Sequence, residues 1–193
     1  MNLLRVLGRD LQLYKPDYPS IEYCSRITTL AIAACKCRDF RLNILIRVHR
    51  EGLPLLSRLA GSLSFYIYGC SIDAEAALSA PIRFIHPRNI VIGKHVSISG
   101  PYCIIFHNVT LGKLRPGSPS VPGSMPRLSG GTVIGTGSVI LGTVVTEGDT
   151  VFGACTLCTD LTVPGNCTVV GTNHLLKTVY YHPASRPVLS PAY

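Results

Sequence analysis

The chain has 193 residues, 47% hydrophobic and 15% charged, which suits one folded domain with a small appendage and excludes a disordered polymer. Its net charge of +8 is not gathered into a stripe: residues 1–60 hold ten Lys or Arg against five Asp or Glu, and no Lys or Arg occurs between Arg127 and Lys177, which argues against a nucleic-acid surface. Of the longest uncharged apolar stretches, neither Ile27–Cys35 nor Leu59–Ile72 reaches the ~20 residues that a membrane-spanning helix needs.

The N-terminus, MNLLRVLGRD, has an arginine inside its apolar run and no cleavage pattern, so a secretory signal is not expected. The expected setting is cytoplasmic, with the eight cysteines as thiols and the basic N-terminal region able to rest against the inner face of a membrane. Cys155 and Cys158 form a CxxC without a second pair at ligand spacing, so no metal site is expected.

Residues 1–68 read as helices. Leu3, Leu4, Leu7, Leu11 and Tyr14 recur at helical spacing until Lys15-Pro16 ends the pattern. Apolar stretches follow at Ile21–Cys35, Phe40–Arg50 and Pro54–Tyr68. Their expected role is to pack together and cover one open end of the structure that follows, because an uncovered sheet edge invites aggregation.

From Ile72 the period becomes six. Ile72, Leu78 and Phe84 are so spaced, then Ile92 and Ile98, then Ile105 and Leu111. After a break the series runs Leu128, Ile134, Ile140, Thr146, Phe152, Cys158, Pro164 and Val170. Small or β-branched residues stand four places after most of these, and glycine often directly after. Three six-residue units make one triangular coil of eighteen, with the large apolar residue inside and glycine easing the turns. The expected fold class is mainly β: a parallel β-helix over 69–176 behind an α-helical N-terminal region, with a C-terminal tail at 177–193. Proline, serine and glycine crowd residues 113–127 and predict a loop leaving the coil, a common place for a site.

Titratable side chains are scarce in the coils. His86, in FIHPR, and His107, in IFHNV, each follow an inward apolar residue by two places. They are separated by one coil plus three extra residues, so absorbing those at corners puts both imidazoles on one face of neighbouring coils, about 4.8 Å apart. Adjacent imidazoles resist double protonation, which leaves a neutral general base. His86 is the expected base, and His107 its partner or an alternative base. His49, His95, His174 and His182 are expected to be structural or exposed. No nucleophile elbow, P-loop or dinucleotide fingerprint is present.

The stretch IRFIHPRNIVIGKHVSISGPYCIIFHNVTLGK, with the later GTVIGTGSVILG, resembles the serine acetyltransferase family of left-handed β-helix enzymes over about Ile72 to Val170. The paired IHP and FHNVTLG motifs look closer to the colanic-acid and capsule O-acetyltransferases of that group. The resemblance implies the left hand of the helix, a homotrimer, and acetyl-CoA lying between neighbouring subunits. It carries His86 onto the family's catalytic histidine, Thr136 and Ala154 onto pantetheine-contacting positions, and Gly112 and Lys113 onto the start of the active-site loop. Family aspartates correspond here to Ile85 and Ser71, a second family histidine to Met125, and a closing Gly-x-Pro-Ala to Gly171–His174. Without those charges an amino-acid ammonium would stand unpaired. The expected activity is therefore acetyl transfer to a sugar hydroxyl in surface-polysaccharide synthesis. Serine O-acetylation in cysteine synthesis is the enzymatic alternative, and a non-catalytic β-helix scaffold the other.

Overall fold

The six-residue period folds into short parallel strands that climb in triangular coils. A computed structural model describes residues 3–17, 26–115, 117, 123–172 and 177–180. The beginning of the second expected helix, much of the excursion loop, His174, His182 and most of the tail lie outside the described residues.

One wall stacks β1 (Ser71–Ile72), β4 (Val91–Ile92), β7 (Thr110–Gly112), β10 (Val139–Leu141) and β13 (Leu157–Thr159). The next stacks β2 (Ala77–Leu78), β5 (Ser97–Ile98), β8 (Arg127–Leu128), β11 (Val145–Thr146) and β14 (Thr162–Val163). The third stacks β3 (Ile82–Ile85), β6 (Cys103–Phe106), β9 (Thr132–Ile134), β12 (Thr150–Phe152) and β15 (Cys167–Val170), and β16 (Lys177–Tyr180) joins β15 antiparallel. The result is a parallel β-solenoid of about five coils. Ile72, Leu78, Phe84, Ile92, Ile98, Ile105, Leu111, Leu128, Ile134, Ile140, Phe152 and Cys158 are all buried along its axis.

Two expectations change at the far end. The strict period puts Pro164 and Val170 inside, yet the buried residues are Val163 and Val169. Thr146 pairs with Val163 and Phe152 with Val169, seventeen residues apart, whereas Ile140 pairs with Cys158, eighteen apart. The last coil is shortened at the corner where Asp160 takes a left-handed backbone (φ 46°) and its carboxylate accepts the Thr143 N–H at 2.7 Å. Four residues of the expected tail also form a strand. β16 occupies the free edge of β15, so the third wall does not end on unpaired peptide groups.

The helices are α1 (Leu3–Gln12), α2 (Arg26–Lys36), α3 (Phe40–Glu51) and α4 (Pro54–Tyr68). Proline at the first turn opens α4, and Gly69, at φ 66°, closes it. Leu7, Leu11, Tyr14, Ala33, Cys37 and Phe40 bind α1, α2 and α3 into their own core. Against the solenoid, Leu42, Ile46 and Tyr68 join its apolar core, and a set of polar side chains makes the rest of the contact. The Asp10 carboxylate accepts the Ile82 N–H (2.8 Å), Asn43 donates to the Ile82 carbonyl (2.8 Å), and the Tyr14 hydroxyl accepts the Phe84 N–H (2.8 Å) while donating to Asn43 (2.7 Å). Arg47 donates to the carbonyls of Leu78 (2.6 Å) and Ala80 (3.0 Å) and forms a two-pronged pair with Asp10. Side-chain exposure in that pair is 2% and 0%. The outward peptide groups of the first coil are thus satisfied by side chains instead of another strand. Burial raises the Tyr14 hydroxyl well above its usual pKa, so it stays a neutral donor and acceptor.

Removing one member of a buried ion pair strands the other charge, which costs about 3–5 kcal/mol. Asp10→Ala should lose stability of that order in urea unfolding, while Arg5→Ala, at an exposed position of the same helix, should change it by less than about 0.5 kcal/mol.

Candidate functional site

Where the third wall turns into the first, each coil carries a residue with left-handed backbone: Gly69 (φ 66°), Asn89 (51°), Asn108 (57°), Gly137 (70°) and Cys155 (56°). Glycine and asparagine tolerate this region best. The N–H of Asn89 donates to the Tyr68 carbonyl at the end of α4, those of Asn108, Gly137 and Cys155 donate to Arg88, His107 and Thr136 in the preceding coil, and the Asn89 amide donates to the Asn108 side-chain oxygen at 3.2 Å. This column fixes the residue just before each member. His107, Thr136 and Ala154 therefore stand in line on successive coils, and the Thr136 hydroxyl donates to the His107 carbonyl at 3.2 Å. Gly135 is required here, since a Cβ would meet the Ala154 nitrogen at 2.7 Å.

His86 belongs to the same corner by another route. Ile85 pairs with Phe106, so His86 and His107 leave their strands at matching places. Two additional residues, Pro87 and Arg88, then bulge out before the Asn89 turn. The imidazole centroids are 6.5 Å apart with planes tilted by 59°, so the rings neighbour each other without stacking face to face. His86 is exposed, with φ 51°, and its N–H donates to the Asp39 carboxylate at 3.2 Å. Asp39 stands at the start of α3, where it caps no helical N–H. His107 is half-buried, and its Nδ1 is buried without a hydrogen-bond partner among the described residues.

Four of the six expected site residues thus meet at one corner: His86, His107, Thr136 and Ala154. Gly112 and Lys113 do not. They sit at the other end of β7, five residues beyond His107, or ~16 Å of extended chain. Sequence reasoning missed three contributors. Asn89 and Asn108 were legible, since each precedes a buried aliphatic residue at the same coil position. Asp39 was not, because nothing near it in the sequence points to His86. His49 is structural as expected: its Nδ1 bonds the Ser57 carbonyl at 2.7 Å. The CxxC thiols part company. Cys155 is exposed at the corner and Cys158 buried in the core, where burial pushes its thiol up to about 11.

The fold and corner define a β-solenoid protein with a paired-imidazole site. No protein-family model matches the chain. It is 34% identical over 125 residues to a serine acetyltransferase of the cyanobacterium Synechococcus elongatus, a match covering 64% of this chain and 49% of that protein. The matched region spans about half the length of that curated relative. Among solved structures, serine acetyltransferase of Neisseria gonorrhoeae superposes with a TM-score of 0.70 at 21% identity, covering 94% of this chain and 69% of the other. The soybean apoenzyme gives 0.67 at 22% identity (92% and 69%), and the coenzyme A complex from Brucella abortus 0.62 at 22% (91% and 67%). These likenesses share the solenoid with its N-terminal helices.

The matches correct the acceptor inferred from the sequence. The relative is a serine acetyltransferase, and the nearer likeness to colanic-acid and capsule enzymes has no counterpart among the proteins above. The physical reason lies in the missing charges. Met125 is buried at 2% exposure, with its methyl group against Gly93, so a neutral residue there says nothing about an acceptor. A carboxylate does stand near His86 although Ile85 is apolar: Asp39, from the helical region, accepts the His86 backbone N–H.

The thiol environments give a direct check of the corner. A thiol raised to about 11 by burial keeps its proton until the pH climbs toward that value, so Cys158 carries little reactive thiolate at pH 8. Iodoacetamide at pH 8 should modify Cys155 at least about tenfold faster than Cys158 in peptide mass maps, and denaturant should abolish the difference.

Proposed function

We propose that this chain transfers an acetyl group from acetyl-CoA to the hydroxyl of serine. The observation that carries the reading is the His86–His107 pair at a solenoid corner, in a chain 34% identical to a serine acetyltransferase over 125 residues. His86 is the exposed imidazole and acts as general base on the serine hydroxyl. The hydroxyl oxygen attacks the thioester carbon, the C–S bond breaks, and the abstracted proton leaves with the coenzyme A sulfur. The Asp39 carboxylate beside His86 provides negative charge near the place where the serine ammonium binds. The wall beside the pair suits an extended pantetheine arm, since Gly135 has no side chain and Ala154 is small and exposed. Lys113 lies farther along the same coil, where the loop begins.

The functional unit in this reading is a homotrimer. α4 is inverted: its buried stripe is Ala60, Ser64 and Tyr68, while Leu55 (80% exposed), Leu59 and Tyr66 (83%) lie at the outer pole, flanked by Leu56, Leu63, Phe65 and Ile67. An apolar face of this breadth fits burial against neighbouring copies. No disulfide joins the cysteines among the described residues, which suits a reducing, cytoplasmic setting.

Thiol release from acetyl-CoA should depend on serine, and His86→Ala should lower kcat by about 10²–10⁴ with the solenoid intact. Thiol release on a different hydroxyl compound, with serine inert, would overturn the reading. Sedimentation velocity at micromolar concentration should give a trimer, and Leu59→Glu combined with Tyr66→Glu should shift it toward monomer.

A further inference from the structure

The two imidazoles of the corner are not equivalent. His86 is exposed, whereas the Nδ1 of His107 is buried with no hydrogen-bond partner among the described residues. His107 as a whole is only half-buried, and of its two ring nitrogens Nδ1 alone is both buried and unbonded among the described residues. The backbone that carries the ring is held in place: its carbonyl accepts the Gly137 N–H (3.1 Å) and the Thr136 hydroxyl (3.2 Å), and the next residue is in the left-handed conformation.

A proton on Nδ1 would be a buried donor with no acceptor, and an imidazolium would add an unpaired charge to that cost. A bare lone pair is the cheaper occupant of the pocket, because folded proteins tolerate an under-satisfied acceptor more readily than an orphaned N–H. We infer that His107 is held as the neutral tautomer with its proton on Nε2, and that it serves the reaction as a fixed hydrogen-bond donor while His86 takes the proton. This rests on the acetyl-transfer reading. In that reaction the thioester oxygen gains negative charge as the serine oxygen bonds to carbon, and it loses that charge when the C–S bond breaks. An N–H pinned from behind stabilises such an oxygen without reorganising. The 6.5 Å spacing leaves room for a reacting group between a base on one ring and a donor on the other.

The tautomer is read from imidazole ¹⁵N spectra of the full-length wild-type protein at pH 7.5, with His107 assigned by loss of its signals in His107→Gln. The expected result is a pyridine-type Nδ1 and a pyrrole-type Nε2. A protonated Nδ1, in either the other tautomer or the imidazolium, overturns the proposal. Kinetics supply the second arm. Glutamine places an amide N–H near the Nε2 position and asparagine near Nδ1. His107→Gln should therefore keep kcat within about tenfold of wild type, while His107→Asn and His107→Ala lose about 10²–10³. Equal losses in Gln and Ala variants that melt like wild type overturn the donor role. A wild-type protein that acetylates nothing overturns the acetyl-transfer reading and the donor role together, and the spectrum still decides the tautomer.

Discussion

A parallel solenoid pairs its strands only with the coils above and below, so its first coil presents a row of peptide groups with no strand to meet them. Everything downstream is stacked on that coil. Asp10, Tyr14, Asn43 and Arg47 close the row from the helical side, reaching groups from Leu78 to Phe84 while remaining buried. Such polar side chains at the heart of a junction look costly, yet each finds partners, and a fully satisfied network also fixes how the helices sit. The aliphatic core of the solenoid tolerates many arrangements of similar volume. The junction tolerates one.

That rigidity bears on the chemistry because the capped coil is the one that carries His86. β3 receives the Asp10, Tyr14 and Asn43 contacts, and His86 leaves its end directly. The same helical layer delivers Asp39 to the His86 backbone. The helices therefore act as more than a lid: they supply part of the electrostatic setting of the corner. At the far end β16 plays the simpler role of an added edge strand.

The corner itself is built from backbone conformation. A column of left-handed residues turns the chain at the same point in each coil, and the side chains just before it line up as a consequence. At the two histidines the coil departs from its period: Pro87 and Arg88 are additional, and His86 is exposed while His107 stays half-buried. The contrast between an exposed imidazole and one with a buried Nδ1 accompanies that insertion.

The sequence by itself determined the repeat, the inward-facing positions up to Cys158, the presence of helices before the solenoid and the proximity of His86 to His107. All of these follow from periodicity, which is local and survives translation along the chain. It failed where geometry ceased to be periodic. The seventeen-residue last coil moved Val163 and Val169 inside in place of Pro164 and Val170, because a corner can lose a residue without leaving a mark in composition. It failed again wherever a partner came from far away. Asp39 is 47 positions from His86 and Asp10 is 72 from Ile82, and no spacing rule links them. The missing charges at Ile85 and Met125 consequently looked like evidence about the acceptor. Only the tertiary structure showed that Met125 belongs to the core and that the carboxylate near His86 arrives from α3, since burial and long-range electrostatics depend on which surfaces meet in space.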